Sequence, residues 1–149
     1  LLLLVLAVTP LRQLLRRFAW SGWLVKARRD LGIATFLYAA AHTIAYLARK
    51  ADPGRILNEA TDAGMLIGWF ALLGMLLLTA TSNDRSVRRL GGRWKALHRL
   101  VYLVALLSIG HWILTAFDPT VGYLHLTLLV LLFLGRALLG GRRFSETAR

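Results

Sequence analysis

Long apolar stretches separated by short charged gaps dominate the 149-residue chain. The four complete stretches approach the ~20 residues that a helix needs to cross about 30 Å of hydrocarbon. None of them shows the period-two alternation of a membrane strand. The stretches cover residues 1–11, interrupted by Pro10, and then 31–48, 64–81, 100–117 and 123–139. This pattern predicts an all-α, polytopic transmembrane helix bundle with four complete spans and a partial N-terminal one.

The charge pattern supports a membrane protein and predicts its orientation. The chain is 57% hydrophobic with a mean hydropathy of +0.58, and its net charge is +12. In chain order, the gaps and the C-terminal segment hold six, three, six, no and four Lys or Arg residues. The positive-inside rule therefore puts the first and third gaps and the C-terminus in the cytoplasm. We expect lipid, and no nucleic acid, to be the partner of this positive charge.

Several kinds of site are excluded or disfavoured by composition. The chain has no cysteine, which excludes disulfides, cysteine-ligated iron–sulfur clusters and covalently attached haem. Its acidic residues lie in gaps or at the edges of spans, whereas ion-coupled transporters usually carry one inside a span. The first residue is not Met, and no charged region precedes the apolar residues 1–11. We expect these residues to end a spanning helix whose start lies upstream.

Two histidines occupy the same depth in two spans that run in the same direction. His42 follows Asp30 by twelve residues, and His111 follows Arg99 by twelve. At ~1.5 Å per residue, each imidazole lies ~18 Å from the cytoplasmic edge. Neutral imidazole is a good iron ligand, and two facing imidazoles can clamp a b-type haem. A single such histidine is equally well explained by a hydrogen bond between helices, so the indication comes from the pair.

A third histidine, His98, lies about 20 Å from His111 along the chain by the same helical rise. The span of His42 offers Arg28 and Arg29 at the corresponding depth, not a histidine. Arginine is a poor iron ligand, but it can pair with haem propionates or a flavin phosphate. On an ideal helix His98 and His111 point about 140° apart. Two haems stacked on one side therefore require a bend, and the number of haems, one or two, stays open.

Other features of the spans have simpler explanations. His125 lies near the outer end of the last span, where we expect an interfacial position, with a haem contact as the alternative. Trp112, beside His111, fits either packing or the wall of a haem pocket. "GMLIG" (64–68) matches the GxxxG helix-packing pattern, and "TSND" (81–84) predicts the end of a helix and a turn.

Three segments carry a resemblance to a known family. They are "ARRDLGIATFLYAAAHTIAYL" (27–47), "LTATSNDRSVRRLGGRWKALHRLVYL" (78–103) and "SIGHW" (108–112). They resemble MsrQ, formerly YedZ, the haem-binding membrane subunits of periplasmic methionine sulfoxide reductase systems. That family is part of the ferric-reductase-like transmembrane group. The resemblance covers nearly the whole chain, and residues 1–149 are expected to form one such domain, incomplete at its N-terminus.

The resemblance implies a ligand set, cofactors and partners. The family's haem histidines match His42, His98 and His111, and a basic position of its third helix matches Arg28. Members bind b-type haem and pass electrons to MsrP, a periplasmic molybdopterin enzyme. The donor is the quinone pool or a cytoplasmic flavin reductase, with FMN as a further cofactor. These implications predict a multi-pass protein of the bacterial inner membrane.

Two alternatives remain at this point. One alternative function is the membrane core of a ferric reductase or superoxide-producing oxidase. We expect such a core to be followed by a nucleotide-binding domain, and the short basic tail "GRRFSETAR" disfavours this alternative. The chain is also compatible with a membrane protein whose histidines serve packing alone. We favour an electron-transfer subunit of an oxidoreductase system over an enzyme that itself reduces the final substrate.

Overall fold

The structure, a computed structural model, describes residues 1–14, 21–50 and 52–146, and this part of the chain is helical without strands. Its helices are α1 Leu2–Leu14, α2 Ser21–Lys50, α3 Pro53–Ala60, α4 Ala63–Ala80, α5 Asp84–Leu90, α6 Gly92–His98, α7 Leu100–Thr115 and α8 Thr120–Glu146. Three of the Lys and Arg residues counted in the charge pattern, Arg16, Arg17 and Arg149, lie outside the described residues.

Four helical stretches are long and apolar enough to cross a membrane. They are Ala27–Lys50, Ala63–Ala80, Gly92–Thr115 and Thr120–Ala137. The four complete spans of the sequence prediction and its all-helical fold class are therefore confirmed. We call the end of the bundle that carries α3 the α3 end, and the opposite end, which carries α5, the α5 end.

Five helices form a ring. In the order α1, α2, α4, α7 and α8, each helix packs against the next, and α8 packs back against α1. The most extensive contact joins α4 to α7. Most apolar side chains of the spans remain exposed, as expected for helices whose solvent is lipid. The buried cluster is formed where α1, α7 and α8 meet and consists of Leu6, Val101, Ala105, Ile109 and Leu129.

Three glycines let α4 approach α7 closely. A Cβ atom on Gly64 would lie 2.9 Å from Thr115 Cγ2, and one on Gly74 would lie 2.5 Å from Val104 Cγ2. A Cβ atom on Gly68 would lie 2.6 Å from Nδ1 of His111. The GxxxG prediction is therefore confirmed as a packing contact, and the structure extends the row of small residues by two turns to Gly74.

The helix α1 is not interrupted at Pro10, contrary to the sequence prediction. It runs through this residue to Leu14. Proline has no N–H, so the carbonyl of Leu6 lacks its usual partner four residues on. The guanidinium of Arg136 on α8 donates to this carbonyl at 2.9 Å and also to the hydroxyl of Tyr102 on α7. One side chain thereby satisfies the orphan carbonyl and joins three helices.

The gaps hold short helices that the sequence reading missed. Asp52 caps α3 by accepting from the N–H of Gly54, with proline at the first helical position. Asn83 caps α5 by accepting from the N–H of Ser86, which confirms the turn predicted at 81–84. The span of His42 also starts earlier than predicted, because α2 extends back through basic residues that favour helix.

The apolar stretch Gly92–Thr115 is interrupted between His98 and His111. The N–H of Tyr102 bonds to the carbonyl of Arg99, three residues away, where an α-helix would use four. The N–H of Arg99 likewise bonds to the carbonyl of Ala96, three residues back, and this tighter winding separates α6 from α7. The regular helix on which the 140° angle was calculated is therefore not continuous in the protein.

Candidate functional site

His42 and His111 line one cleft. The cleft has a volume of about 720 Å³ and is walled by α1, α2, α4 and α7. Cofactor and ligand sites typically occupy ~300–1,000 Å³. The two histidines thus face a common space of suitable size, as their equal depth in parallel spans predicted.

The wall contributed by α2 follows helical spacing. Thr35, Ala39, His42, Tyr46 and Lys50 recur every three or four residues and all line the cleft. Such a row lies on one side of a helix. The rotation of α2 that presents His42 to the cleft therefore also presents Tyr46 and Lys50, one and two turns closer to the α3 end.

A backbone carbonyl orients His111. Its Nδ1 lies 2.8 Å from the carbonyl oxygen of Gly64 on α4. A carbonyl can only accept, so Nδ1 carries the proton and Nε2 keeps its lone pair. This arrangement matches that of metal-ligating histidines, whose other ring nitrogen usually donates to a carbonyl or carboxylate. Gly64 and Gly68 provide the space for this ring, a role the sequence reading did not foresee.

The residues of the cleft fit a b-type haem. Two imidazoles from different helices supply the donor set, and apolar or small side chains form most of the remaining wall. Within the described part of the chain, no three His, Cys, Asp or Glu side chains converge on a point that suits a bare metal ion. A cofactor whose macrocycle supplies the other four iron ligands needs only the pair.

His98 lies outside this cleft and has close neighbours of its own. Its Nδ1 lies 3.2 Å from the carbonyl of Trp94, and its Nε2 lies 3.3 Å from Oγ of Ser82. The imidazole stacks on the indole of Trp94 at a centroid distance of 3.8 Å. The structure therefore does not bring the three predicted haem histidines together.

Arg28 lies on the same side of the bundle as His98. It is near enough for its charge to act on His98, Tyr102 and Arg136. Two guanidinium groups and an imidazole therefore gather near the α5 end. Arg136 was missed as a member of this group, because its position in the sequence marked it only as the end of a span.

His125 stands beside the cleft wall rather than in it. Its Nδ1 donates to the carbonyl of Val121 at 2.7 Å, and its ring lies 4.9 Å from that of Trp112. Trp112 itself lines the cleft. The pocket-wall alternative for Trp112 is thus favoured, and His125 packs against this tryptophan.

The mouth of the cleft at the α3 end carries a polar cluster of Tyr46, Lys50 and Glu59. The carboxylate of Glu59 accepts from Lys50 Nζ at 2.5 Å and from the hydroxyl of Tyr46 at 2.8 Å. The hydrogen bond from Lys50, followed by that from Tyr46, lowers the pKa of Glu59. These contacts hold α3 against the last two turns of α2.

A bundle of apolar helices with two imidazoles on one internal cleft defines a polytopic membrane protein with a candidate cofactor site. The chain belongs to the ferric-reductase-like transmembrane family, because the family model "Ferric reductase like transmembrane component" matches residues 1–109. It is also similar to the protein-methionine-sulfoxide reductase heme-binding subunit MsrQ of Ralstonia nicotianae. The two are 41% identical over 116 residues, which is 75% of this chain and 52% of the relative.

The chain therefore spans about half the length of this curated relative. No solved structure matches the chain. These findings confirm the family expected from the sequence, and together with the four apolar helices they support a membrane protein.

Proposed function

We propose that the protein is the haem-binding, electron-transferring membrane subunit of a methionine sulfoxide reductase system. One b-type haem is held between His42 and His111, and electrons leave on the outer side to a periplasmic, MsrP-like molybdoenzyme. The observation that carries this proposal is the pair of imidazoles on one cleft, with His111 aimed by the carbonyl of Gly64. The name of the Ralstonia relative, a heme-binding subunit, supports the same cofactor.

Each part of the cleft has a task in this function. His42 and His111 would hold the haem, which would supply one-electron chemistry. The bond from Nδ1 of His111 to Gly64 fixes the ring and raises the basicity of Nε2. The close contact of α4 with α7 fixes the helix that carries this ligand, and the apolar walls limit access of water.

The α5 end is proposed as the side where electrons enter. Arg28 and Arg136 gather positive charge there, beside His98. Such a group suits an anionic ligand, either the phosphate of FMN or a propionate of a second haem on His98. The donor, by family resemblance, is the quinone pool or a cytoplasmic flavin reductase. A second haem on His98 would require its Nε2 to exchange Ser82 for iron.

We propose that the protein lies in the bacterial inner membrane with its α5 end in the cytoplasm. The chain contains no cysteine, so single cysteines can be introduced and labelled without background. In intact cells, a membrane-impermeant maleimide should label Asp118→Cys at the α3 end. It should label Arg89→Cys at the α5 end only after lysis. The reverse pattern would contradict the orientation.

The function is tested by haem content and by electron delivery. The purified protein should show sharp low-spin b-type bands in a reduced-minus-oxidised spectrum, with at least one haem per polypeptide. The reduced haem should be reoxidised rapidly only when the periplasmic molybdoenzyme and methionine sulfoxide are both added. Folded protein without haem would contradict the cofactor. Reoxidation by ferric chelates alone, with no effect of the molybdoenzyme, would support a ferric reductase instead.

A further inference from the structure

The haem cleft is polar at one end only. Toward the α3 end its lining includes Tyr46, Lys50, Glu59 and Asp62. Toward the α5 end the described lining is apolar apart from small hydroxyl groups, with Ala71, Leu72, Met75, Ala105 and Ile109. Haem is also polar at one edge only, since its two propionates carry the negative charge and the opposite edge is hydrocarbon. Burying a carboxylate among apolar side chains is costly, so this charged edge favours the α3 end.

Lys50 is the sole Lys or Arg among the described residues that line this cleft. It lies eight residues beyond His42, or ~12 Å along the α2 axis. Helical side chains lean back toward the N-terminus of their helix, so the Lys50 stem leans toward His42. Its side chain lines the cleft and is 37% exposed at the mouth.

The ammonium of Lys50 can serve a second carboxylate. It has three N–H donors, and its bond to Glu59 uses one of them. Glu59 in turn sits on α3, whose start is fixed by the Asp52 cap. Glu59 therefore positions Lys50 at the mouth without exhausting its donors.

We propose that Lys50 binds a haem propionate, so that the carboxylate edge of the haem faces the α3 end of the cleft and the hydrocarbon edge faces Ala71 and Ala105. This inference rests on the proposed haem site between His42 and His111. It adds a residue that neither the histidine pattern nor the family resemblance indicated. It also fixes which edge of the cofactor is directed toward the proposed outer side.

The test compares two haems in two variants. Ferric haem has two propionates, whereas haem dimethyl ester has none and keeps the same iron and ring. Lys50→Met removes the cation, and Lys50→Arg retains it. Arg49→Met is the matched control, because Arg49 is an exposed neighbouring cation that does not line the cleft. The measurement is the rate of haem transfer from each detergent-purified protein to excess apomyoglobin.

We expect Lys50→Met to lose ferric haem about three- to tenfold faster than wild type, the effect of one partly exposed charge-assisted hydrogen bond. Lys50→Arg and Arg49→Met should stay within about twofold of wild type. With haem dimethyl ester, Lys50→Met and wild type should lose the ligand at equal rates. If Lys50→Met does not fold, Lys50→Gln replaces it in the same comparison.

The result that overturns the inference is an equal loss of ferric haem from Lys50→Met and wild type. An equally large effect of Lys50→Met on the dimethyl ester would also overturn it, since the lysine would then act on packing rather than on a carboxylate. A folded wild-type protein that binds neither haem would contradict the proposed function itself, and this inference with it.

Discussion

The two ends of the bundle use histidine in different ways. Near the α3 end, His42 and His111 face one cleft, and a carbonyl holds one nitrogen of His111 while the other keeps its lone pair. Near the α5 end, His98 stacks on Trp94 and has close polar neighbours at both ring nitrogens. The first arrangement is the one that we propose for a pair of iron ligands. In the second arrangement, Trp94 and Ser82 occupy the positions around the His98 ring.

This difference shows that a histidine within a membrane span is not sufficient evidence for a haem site. What distinguishes the proposed ligand pair is that both rings line one cavity and that the carbonyl of Gly64 leaves Nε2 of His111 with its lone pair. His111 meets this condition only because Gly64 and Gly68 admit its ring against α4. The largest expected effects therefore lie at the α3 end.

Removal of either cleft histidine should have the largest effect. We expect His42→Ala and His111→Ala each to lose the low-spin haem held in the cleft, because one remaining imidazole leaves the iron five-coordinate. The haem-to-polypeptide ratio and the reduced-minus-oxidised spectrum measure this loss. His125→Ala is the matched control and should keep the haem, since its ring packs on Trp112 outside the cleft lining.

His98→Ala sharpens the contrast between the two ends. The cleft haem and its low-spin bands should survive this change, because His98 does not line the cleft. Loss of all haem in folded His98→Ala would mean that the two ends form one site. Retention of the low-spin cleft haem in folded His42→Ala would break the pairing of His42 with His111.

The space around His111 should be the next most sensitive feature. A methyl group at Gly68 would lie 2.6 Å from its Nδ1, so Gly68→Ala must displace the ring or separate α4 from α7. Overpacking typically costs ~1–3 kcal/mol, and we expect haem affinity to fall roughly tenfold. Haem titration followed by absorbance measures it. Gly32→Ala, where nothing lies within 4 Å of the added carbon, should bind haem as wild type does.

The link between α1 and α8 should have a smaller effect, on stability. Arg136→Met removes the donor to the Leu6 carbonyl, and we expect Tm to fall by about 5 °C. In a Pro10→Ala background the new N–H can donate to the Leu6 carbonyl. Arg136→Met should therefore lower Tm by only about half as much in that background. An equal decrease in Tm in both backgrounds would show that Arg136 does not compensate for the proline. Arg93→Met, an exposed cation, is the control.

The smallest effect is expected at the mouth, and it depends on pH. Bonds from Lys50 and Tyr46 lower the pKa of Glu59 below its usual 4.5. The ionised carboxylate therefore stabilises the fold above that value, and the contribution is lost as pH falls through the lowered pKa. Glu59→Gln should lower Tm by about 1 °C at pH 7. The difference from wild type should shrink as pH falls below 4.5 and vanish once Glu59 is protonated in the folded protein, and a difference that grows on acidification would contradict this linkage.

The spans and the depth of the histidine pair were predictable from the sequence, because apolar length and helical rise determine both. The short helices α3 and α5 carried local signals, an Asp-Pro start and an asparagine cap, that were overlooked. The continuation of α1 through Pro10 was not predictable, since it depends on Arg136, 126 positions later in the chain. His98 is held away from the cleft by a tertiary contact with Ser82 and by stacking on Trp94, four residues earlier on α6.

The most direct test of the paired ligation is the electron paramagnetic resonance spectrum of the ferric protein, taken beside its His98→Ala variant. If His42 and His111 both bind the iron, wild type and the variant should share a low-spin ferric signal typical of two imidazole ligands. That signal should be absent from His42→Ala. A high-spin spectrum in wild type, or an unchanged low-spin signal in His42→Ala, would contradict the clamp between these two histidines.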